Sequence, residues 1–141
     1  MKFWDSSAIV PLLVEEPSTN ALLNVYRQDS VMLAWWATEV ECASALARLE
    51  RAGCLTLSAA TEALKRLHEL RLAWQEVQPI DALRDIAGRL LRVHTMRAAD
   101  ALQLAAALLA CENRPSSLEF VCLDDRLSNA AQREGFNLIS I

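Results

Sequence analysis

Four acidic residues stand where a folded chain would bring them together. Asp5 follows a short extended segment, Lys2 to Trp4, and Asp124 follows the apolar segment Phe120 to Leu123. Glu41 falls in the first turn of a helix predicted from Thr38, and Asp100 in the first turn of one predicted from Ala98. In a parallel α/β sheet the carboxyl ends of strands and the amino ends of the following helices share one edge, where such folds bind ligands. Carboxylates spread from position 5 to position 124 then converge on one site. Their mutual repulsion protonates some of them unless a cation is present. An all-carboxylate donor set without His or Cys suits Mg²⁺ or Mn²⁺ better than zinc, and helix amino ends at Glu41 and Asp100 favour the ionised, ion-binding forms. The chemistry such a site serves is phosphoryl transfer, in which a bound ion activates water and offsets developing charge.

Each residue also has a purely structural explanation. Asp5 can cap the helix after it, and Asp100 can answer the helix dipole or pair with Arg97 three residues earlier. Glu39 competes with Glu41 for the inward position, and Asp125 with Asp124. Glu50, Glu62, Glu69, Asp85 and Glu134 sit among other charges and read as solvated.

The elements that must position these groups follow from periodicity. Strands are predicted at Lys2 to Trp4, Val31 to Ala34, Trp74 to Val77, Glu119 to Leu123 and Leu138 to Ser140. Between them, a helix through Ile9, Leu12 and Leu13 stops at Pro17, and others cover Thr19 to Arg27 and Thr38 to Ala52, where Gly53 is the stop. Ser58 caps a helix with Ala60, Leu64, Leu67 and Leu70 at helical spacing, and Asp81 opens one with Leu83, Ile86, Ala87, Leu90 and Leu91 on one face. The helix from Ala98 to Cys111 is apolar nearly all round, which predicts burial at the centre. Leu127 to Glu134, ended by Gly135, is the last. Strands separated by helices predict a three-layer α/β/α sandwich around a mainly parallel sheet.

The length of 141 residues, with 53% apolar residues, 3 Gly and 4 Pro, fits one folded domain over residues 1–141 and excludes disordered or fibrous structure. No apolar run is long enough to span a bilayer. Asp5, Pro11, Glu15 and Glu16 break up the opening segment, so it does not read as a signal peptide, and a cytoplasmic location is expected. Cys42, Cys54, Cys111 and Cys122 lack metal-binding spacing and are expected to be reduced, structural thiols. A net charge of −4 argues against coating nucleic acid by bulk charge.

Four segments in order carry a resemblance over essentially the whole chain. They are Phe3-Trp4-Asp5-Ser6-Ser7-Ala8, Glu41-Cys42-Ala43-Ser44-Ala45-Leu46, Arg97-Ala98-Ala99-Asp100-Ala101-Leu102 and Val121-Cys122-Leu123-Asp124-Asp125-Arg126-Leu127. With them the chain resembles the PIN-domain nucleases, in particular the bacterial VapC-type toxins. The resemblance implies a PIN-like sandwich and a Mg²⁺-dependent endoribonuclease, with Mn²⁺ as substitute, in which Asp5, Glu41, Asp100 and Asp124 form the catalytic and metal-binding set. It selects Glu41 over Glu39 and Asp124 over Asp125, and gives Ser7 and Arg97 supporting or phosphate-binding roles. It also implies a homodimer and inhibition by a small VapB-like antitoxin whose tail occupies a groove. Two positions depart from the pattern. Cys122 stands where Thr or Ser is common, which puts metal binding in doubt, and Gln103 stands where a His is frequent, a change expected to matter little.

Of 14 basic residues 12 are arginine, which suits bidentate phosphate contacts, although a solvated helix face accounts for most of them. His94 continues an apolar stripe and reads as a packing residue, and His68 invites no role. Trp35 and Trp36 read as core or interface rather than as base-stacking platforms. Leu12, Leu13, Leu22, Leu23 and Tyr26 offer apolar surface for a groove or a dimer face. The expected function is RNA hydrolysis. The alternative is a catalytically weak or inactive PIN-like module that binds RNA or protein. A Mg²⁺-dependent phosphatase or receiver-like protein ranks last, because the chain lacks the paired acidic start or a well-placed Lys.

Overall fold

The computed structural model covers residues 1–141. Five strands, β1 (Lys2–Trp4), β2 (Met32–Trp35), β3 (Gln75–Val77), β4 (Glu119–Val121) and β5 (Asn137–Leu138), form one sheet in the order β3-β2-β1-β4-β5. Every neighbouring pair is parallel. Seven helices connect them: α1 (Ser6–Leu13), α2 (Thr19–Gln28), α3 (Thr38–Arg51), α4 (Leu57–Ala73), α5 (Asp81–Val93), α6 (Ala98–Ala110) and α7 (Asp125–Glu134).

Successive strand residues point to opposite faces, and the sheet separates two cores. Phe3, Leu33, Trp35 and Phe120 pack with residues of α5, α6 and α7, while Trp4, Met32, Ala34 and Val121 pack with α1 to α4. The result is the expected α/β/α sandwich. Because both faces are covered, β1 and β2 are buried at every residue, the continuous apolar pattern of internal parallel strands. Helix α6 owes its central place to Ala101, Ala105, Ala106 and Ala107, all fully buried, whose small side chains let it lie close against its neighbours.

The strand order positions the acidic edge. The chain builds outward from β1 through β2 to β3, then returns through α5 and α6 to lay β4 on the other side of β1. The order reverses between β1 and β4, and the crevice beyond such a point is where open sheets hold ligands. Asp5 and Asp124 follow these two strands.

Several boundaries differ from the sequence reading. Thr56, not Ser58, caps α4, its hydroxyl accepting from the Ala59 N–H at 3.1 Å. Strand β4 ends at Val121, so Asp124 stands three residues beyond it, and the last strand is Asn137–Leu138. Leu64 and Leu91, both placed on packed faces by periodicity, are 45% and 43% exposed. In α4 the small Ala63 takes the inward position instead. Trp35 is buried, whereas Trp36 is exposed. Gly53 and Gly135 have φ of +78° and +103°, and Gly135 caps α7 in the left-handed conformation. No helix is long and apolar enough to cross a membrane.

All four cysteines are free, and only Cys54 is exposed. A thiol reagent is therefore expected to modify one cysteine per native chain rapidly and the other three only on unfolding. Rapid loss of two or more thiols in the folded protein would contradict this burial pattern.

Candidate functional site

Asp5 combines the two roles that the sequence left open. It is 4% exposed and is the N-cap of α1, with its Oδ2 accepting from the Ser7 N–H at 3.0 Å and from the Ser7 hydroxyl. The Cys122 Sγ lies 3.6 Å from the same oxygen. The Ser7 and Cys122 contacts fall on Oδ2, and the Ser6 backbone N–H adds a weaker favourable contact to the same carboxylate. Ser7 reaches further: its Oγ accepts from the Leu123 N–H at 2.9 Å, so one hydroxyl ties the β1–α1 junction to the β4–α7 junction across the switch point.

Glu41 is the inward glutamate. Its Oε2 accepts from the Gln103 Nε2 at 2.7 Å, and the same amide donates to the Thr38 Oγ at 3.0 Å. Thr38 and Gln103 are fully buried, so Gln103, to which the sequence reading gave little weight, holds the site glutamate. Glu39 turns away and pairs with Arg71 at 3.2 Å. Asp124 is the N-cap of α7, its Oδ1 accepting from the Leu127 N–H at 2.8 Å, while Asp125 is exposed within the first turn of that helix. Asp100 lies in the first turn of α6 and forms no ion pair with Arg97, although the Arg97 backbone and charge both favour its ionised form.

Asp5, Ser7, Glu41, Asp100 and Asp124 line one open pocket of about 400 Å³. Ser6, Ser44 and Arg48 share it and were missed by the sequence reading. Ser44 and Arg48 follow Glu41 by three and seven residues, a helical spacing that could have identified them. Arg97 does not line the pocket. It precedes α6, and its charge reaches Asp100.

The charges in this pocket are uncompensated. Burial raises the Asp5 carboxyl above its usual range, against the opposing effect of the Ser7 and Cys122 hydrogen bonds. Burial, with the charges of Asp5 and Asp100, raises Glu41 to about 7, and the Gln103 hydrogen bond only partly offsets it. Asp100 is raised by burial and then by the charges of Asp124 and Asp5. None of the four carboxylates forms an ion pair with a basic side chain. In donor chemistry the set fits a hard divalent cation: it is all oxygen and crowded in like charge, and its hydrogen-bond donors are neutral groups. Its spacing is loose, since no three His, Cys, Asp or Glu side chains are close enough to form a ready cage.

Cys122 stands in the heart of this arrangement. Burial, followed by the Asp5 charge, pushes its thiol up to about 12. It is therefore a neutral donor beside Asp5, and its Sγ accepts from the Asp124 N–H at 3.3 Å. A thiol thus fills the hydroxyl position of the resembled pattern, with weaker hydrogen bonds. His94 is no part of the pocket. Its Nε2 lies 2.7 Å from Glu134, and Glu134, expected to be solvated, is instead held below the usual carboxylate range, because the bonds from His94 and Arg89 outweigh its burial.

A carboxyl whose pKa is raised by folding favours the folded state below its unfolded value, and that favour is lost as pH rises through the folded value. For Glu41 the window runs from 4.5 to about 7. Glu41→Gln is expected to stabilise the cation-free protein at pH 8 by about 1–3 kcal/mol, given ~1.4 kcal/mol per pKa unit. The gain should disappear near pH 4, which denaturant unfolding in EDTA will measure. No gain at pH 8, or the same gain at both pH values, contradicts the assignment.

No protein-family model matches the sequence, and no curated protein sequence does so either. Solved structures do match. FitAcB from Neisseria gonorrhoeae superposes with a TM-score of 0.68 at 16% identity, over 99% of this chain and 97% of that one. PAE2754 from Pyrobaculum aerophilum gives 0.64 at 20% identity, over 97% and 82%. FitAB bound to the IR36 DNA fragment gives 0.67 at 14% identity, over 99% and 94%. The chain therefore has the PIN-like three-layer fold that its acidic motifs resemble.

Proposed function

We propose that the protein is a Mg²⁺-dependent endoribonuclease, with Mn²⁺ as a substitute, acting as the VapC-type toxin of a toxin-antitoxin pair. The observation that carries this reading is the pocket at the switch point of the sheet. Four carboxylates line it and none forms an ion pair with a basic side chain. Asp5 and Asp100 would be the central holders of the ion, completed by Glu41 and Asp124. When bound, the ion supplies Lewis-acid charge and a water of lowered pKa.

The chain's own groups do the rest. Ser7 fixes the Asp5 carboxylate. Gln103 and the Ser6 hydroxyl hold Glu41, whose carboxylate would take a proton from the attacking water. Arg48 at the pocket wall and Arg97 beside Asp100 present guanidinium groups to phosphate oxygens. The water oxygen bonds to phosphorus as the bond to the 3′ oxygen breaks, leaving 5′-phosphate and 3′-hydroxyl ends, with the departing oxygen protonated from solvent.

Inhibition by a VapB-like antitoxin is part of the proposal. Its tail would lie in the apolar groove of about 320 Å³ formed by Leu12, Leu23, Tyr26 and Leu70 between α1, α2 and α4, and the active form would be a homodimer. One observation favours a second reading, an inactive PIN-like module that binds RNA or protein: the carboxylates are not drawn into a ready cage.

Asp5→Asn and Asp100→Asn are each expected to reduce Mg²⁺-dependent cleavage of total RNA by about a hundredfold or more. Ser7→Ala, which removes a support of Asp5 and the acceptor of the Leu123 N–H, should cost about 10–100-fold. The melting temperatures of the aspartate variants should stay at or above that of the parent. Undiminished cleavage by both aspartate variants would contradict the proposal, and absence of cleavage by the parent chain with either ion would favour the module.

A further inference from the structure

A second cavity, of about 260 Å³, lies between residues 93–95 and α7. Its lining includes His94, Thr95, Arg126, Asn129 and Arg133. On α7 the last three recur at spacings of three and four residues, which places them along one face of the helix. Thr95, Arg126, Asn129 and Arg133 are exposed, and their side chains make no hydrogen bond or ion pair within the protein. The nearest acid in sequence to Arg133 is Glu134, which is already engaged by the His94 Nε2 at 2.7 Å and by Arg89 at 3.1 Å. Two guanidinium groups without an ion-pair partner thus face a polar groove whose lining holds no acidic residue, in a chain whose net charge is −4.

Both walls of this groove lead to the acidic pocket. Arg126 is two residues from Asp124, the cap of α7, and Thr95 precedes Asp100 by five residues through the start of α6. Arg126 and Arg133 are separated by seven helical residues, about 10 Å along the axis, more than a single phosphate group spans. Planar guanidinium groups bind phosphate through paired N–H donors, and Thr95 and Asn129 add neutral donors between them.

We propose that this groove is a backbone-binding subsite, in which Arg126 and Arg133 hold successive phosphates of an RNA strand whose reacting bond lies in the acidic pocket. The inference rests on the reading of that pocket as an RNA-cleaving site, but its test is separate because it needs no cleavage. The probe is a 5′-fluorescein-labelled, single-stranded 12-nucleotide RNA, followed by anisotropy with the full chain in EDTA over a range of KCl concentrations.

The variant R126A/R133A is expected to bind about tenfold or more weakly. The slope of log affinity against log salt should fall by about 1.4, from about 0.7 per lost phosphate contact. A charge-matched control, R51A/K65A, alters exposed residues on helices of the opposite layer and should leave affinity and slope near those of the parent. Unchanged melting temperatures exclude loss of fold, since all four positions are exposed. Equal losses in the two double variants, no loss in R126A/R133A, or no binding by the parent chain would overturn the proposal. If Asp5→Asn and Asp100→Asn still cleave while R126A/R133A loses binding, the groove stands and the catalytic reading falls.

Discussion

Negative charge confined at the switch point of a parallel sheet is the constraint around which this molecule is organised. Four carboxylates share one pocket, burial raises Asp5, Glu41 and Asp100, and none of the four forms an ion pair with a basic side chain. A chain selected for stability alone would pair such groups or replace them, because uncompensated buried charge is costly. Instead, neutral donors hold them apart. Ser7 and Cys122 bond Asp5, Gln103 bonds Glu41, and the N–H of Leu127 bonds Asp124. The arrangement leaves crowded negative charge that protonation or a bound cation can relieve.

The fold serves that demand. Internal strands buried on both faces make the sheet rigid, and the reversal of strand order between β1 and β4 opens the crevice into which Asp5 and Asp124 project. Helix α6, with its alanine-rich core, brings the first turn bearing Asp100 to the same edge. Ser7 then joins the two junctions through the Leu123 N–H, beside the backbone pairing of β1 with β4.

Much of this was legible in the sequence, for identifiable reasons. Apolar strands three or four residues long, separated by helices, specify a parallel sandwich, and a parallel sheet directs strand ends and helix starts to one edge. Which carboxylate faces inward was legible only through the resemblance, which selects Glu41; periodicity leaves it open, because Glu39 and Glu41 differ in what lies across from them, Arg71 on another helix for one and Gln103 for the other. The same limit concealed Glu134, whose partners His94 and Arg89 are 40 and 45 residues away. Periodicity also placed Leu64 and Leu91 inside, although the facing helices supply no surface to cover them. Net charge averages over the charge distribution in a similar way. The surplus of acid is concentrated at one edge, while unpaired arginines line the neighbouring groove along α7.

The claim that the acidic pocket is a cation site is open to direct measurement without RNA. Mn²⁺ titration by calorimetry near pH 7, in two buffers of different ionisation enthalpy, reports both binding and the protons released, and a carboxyl titrating at about 7 must lose its share of a proton when a cation arrives. The account predicts saturable binding with buffer-dependent heat that is lost when Asp5 and Asp100 are both changed to asparagine. Absence of binding at millimolar Mn²⁺, or binding unaltered by that double substitution, would contradict it.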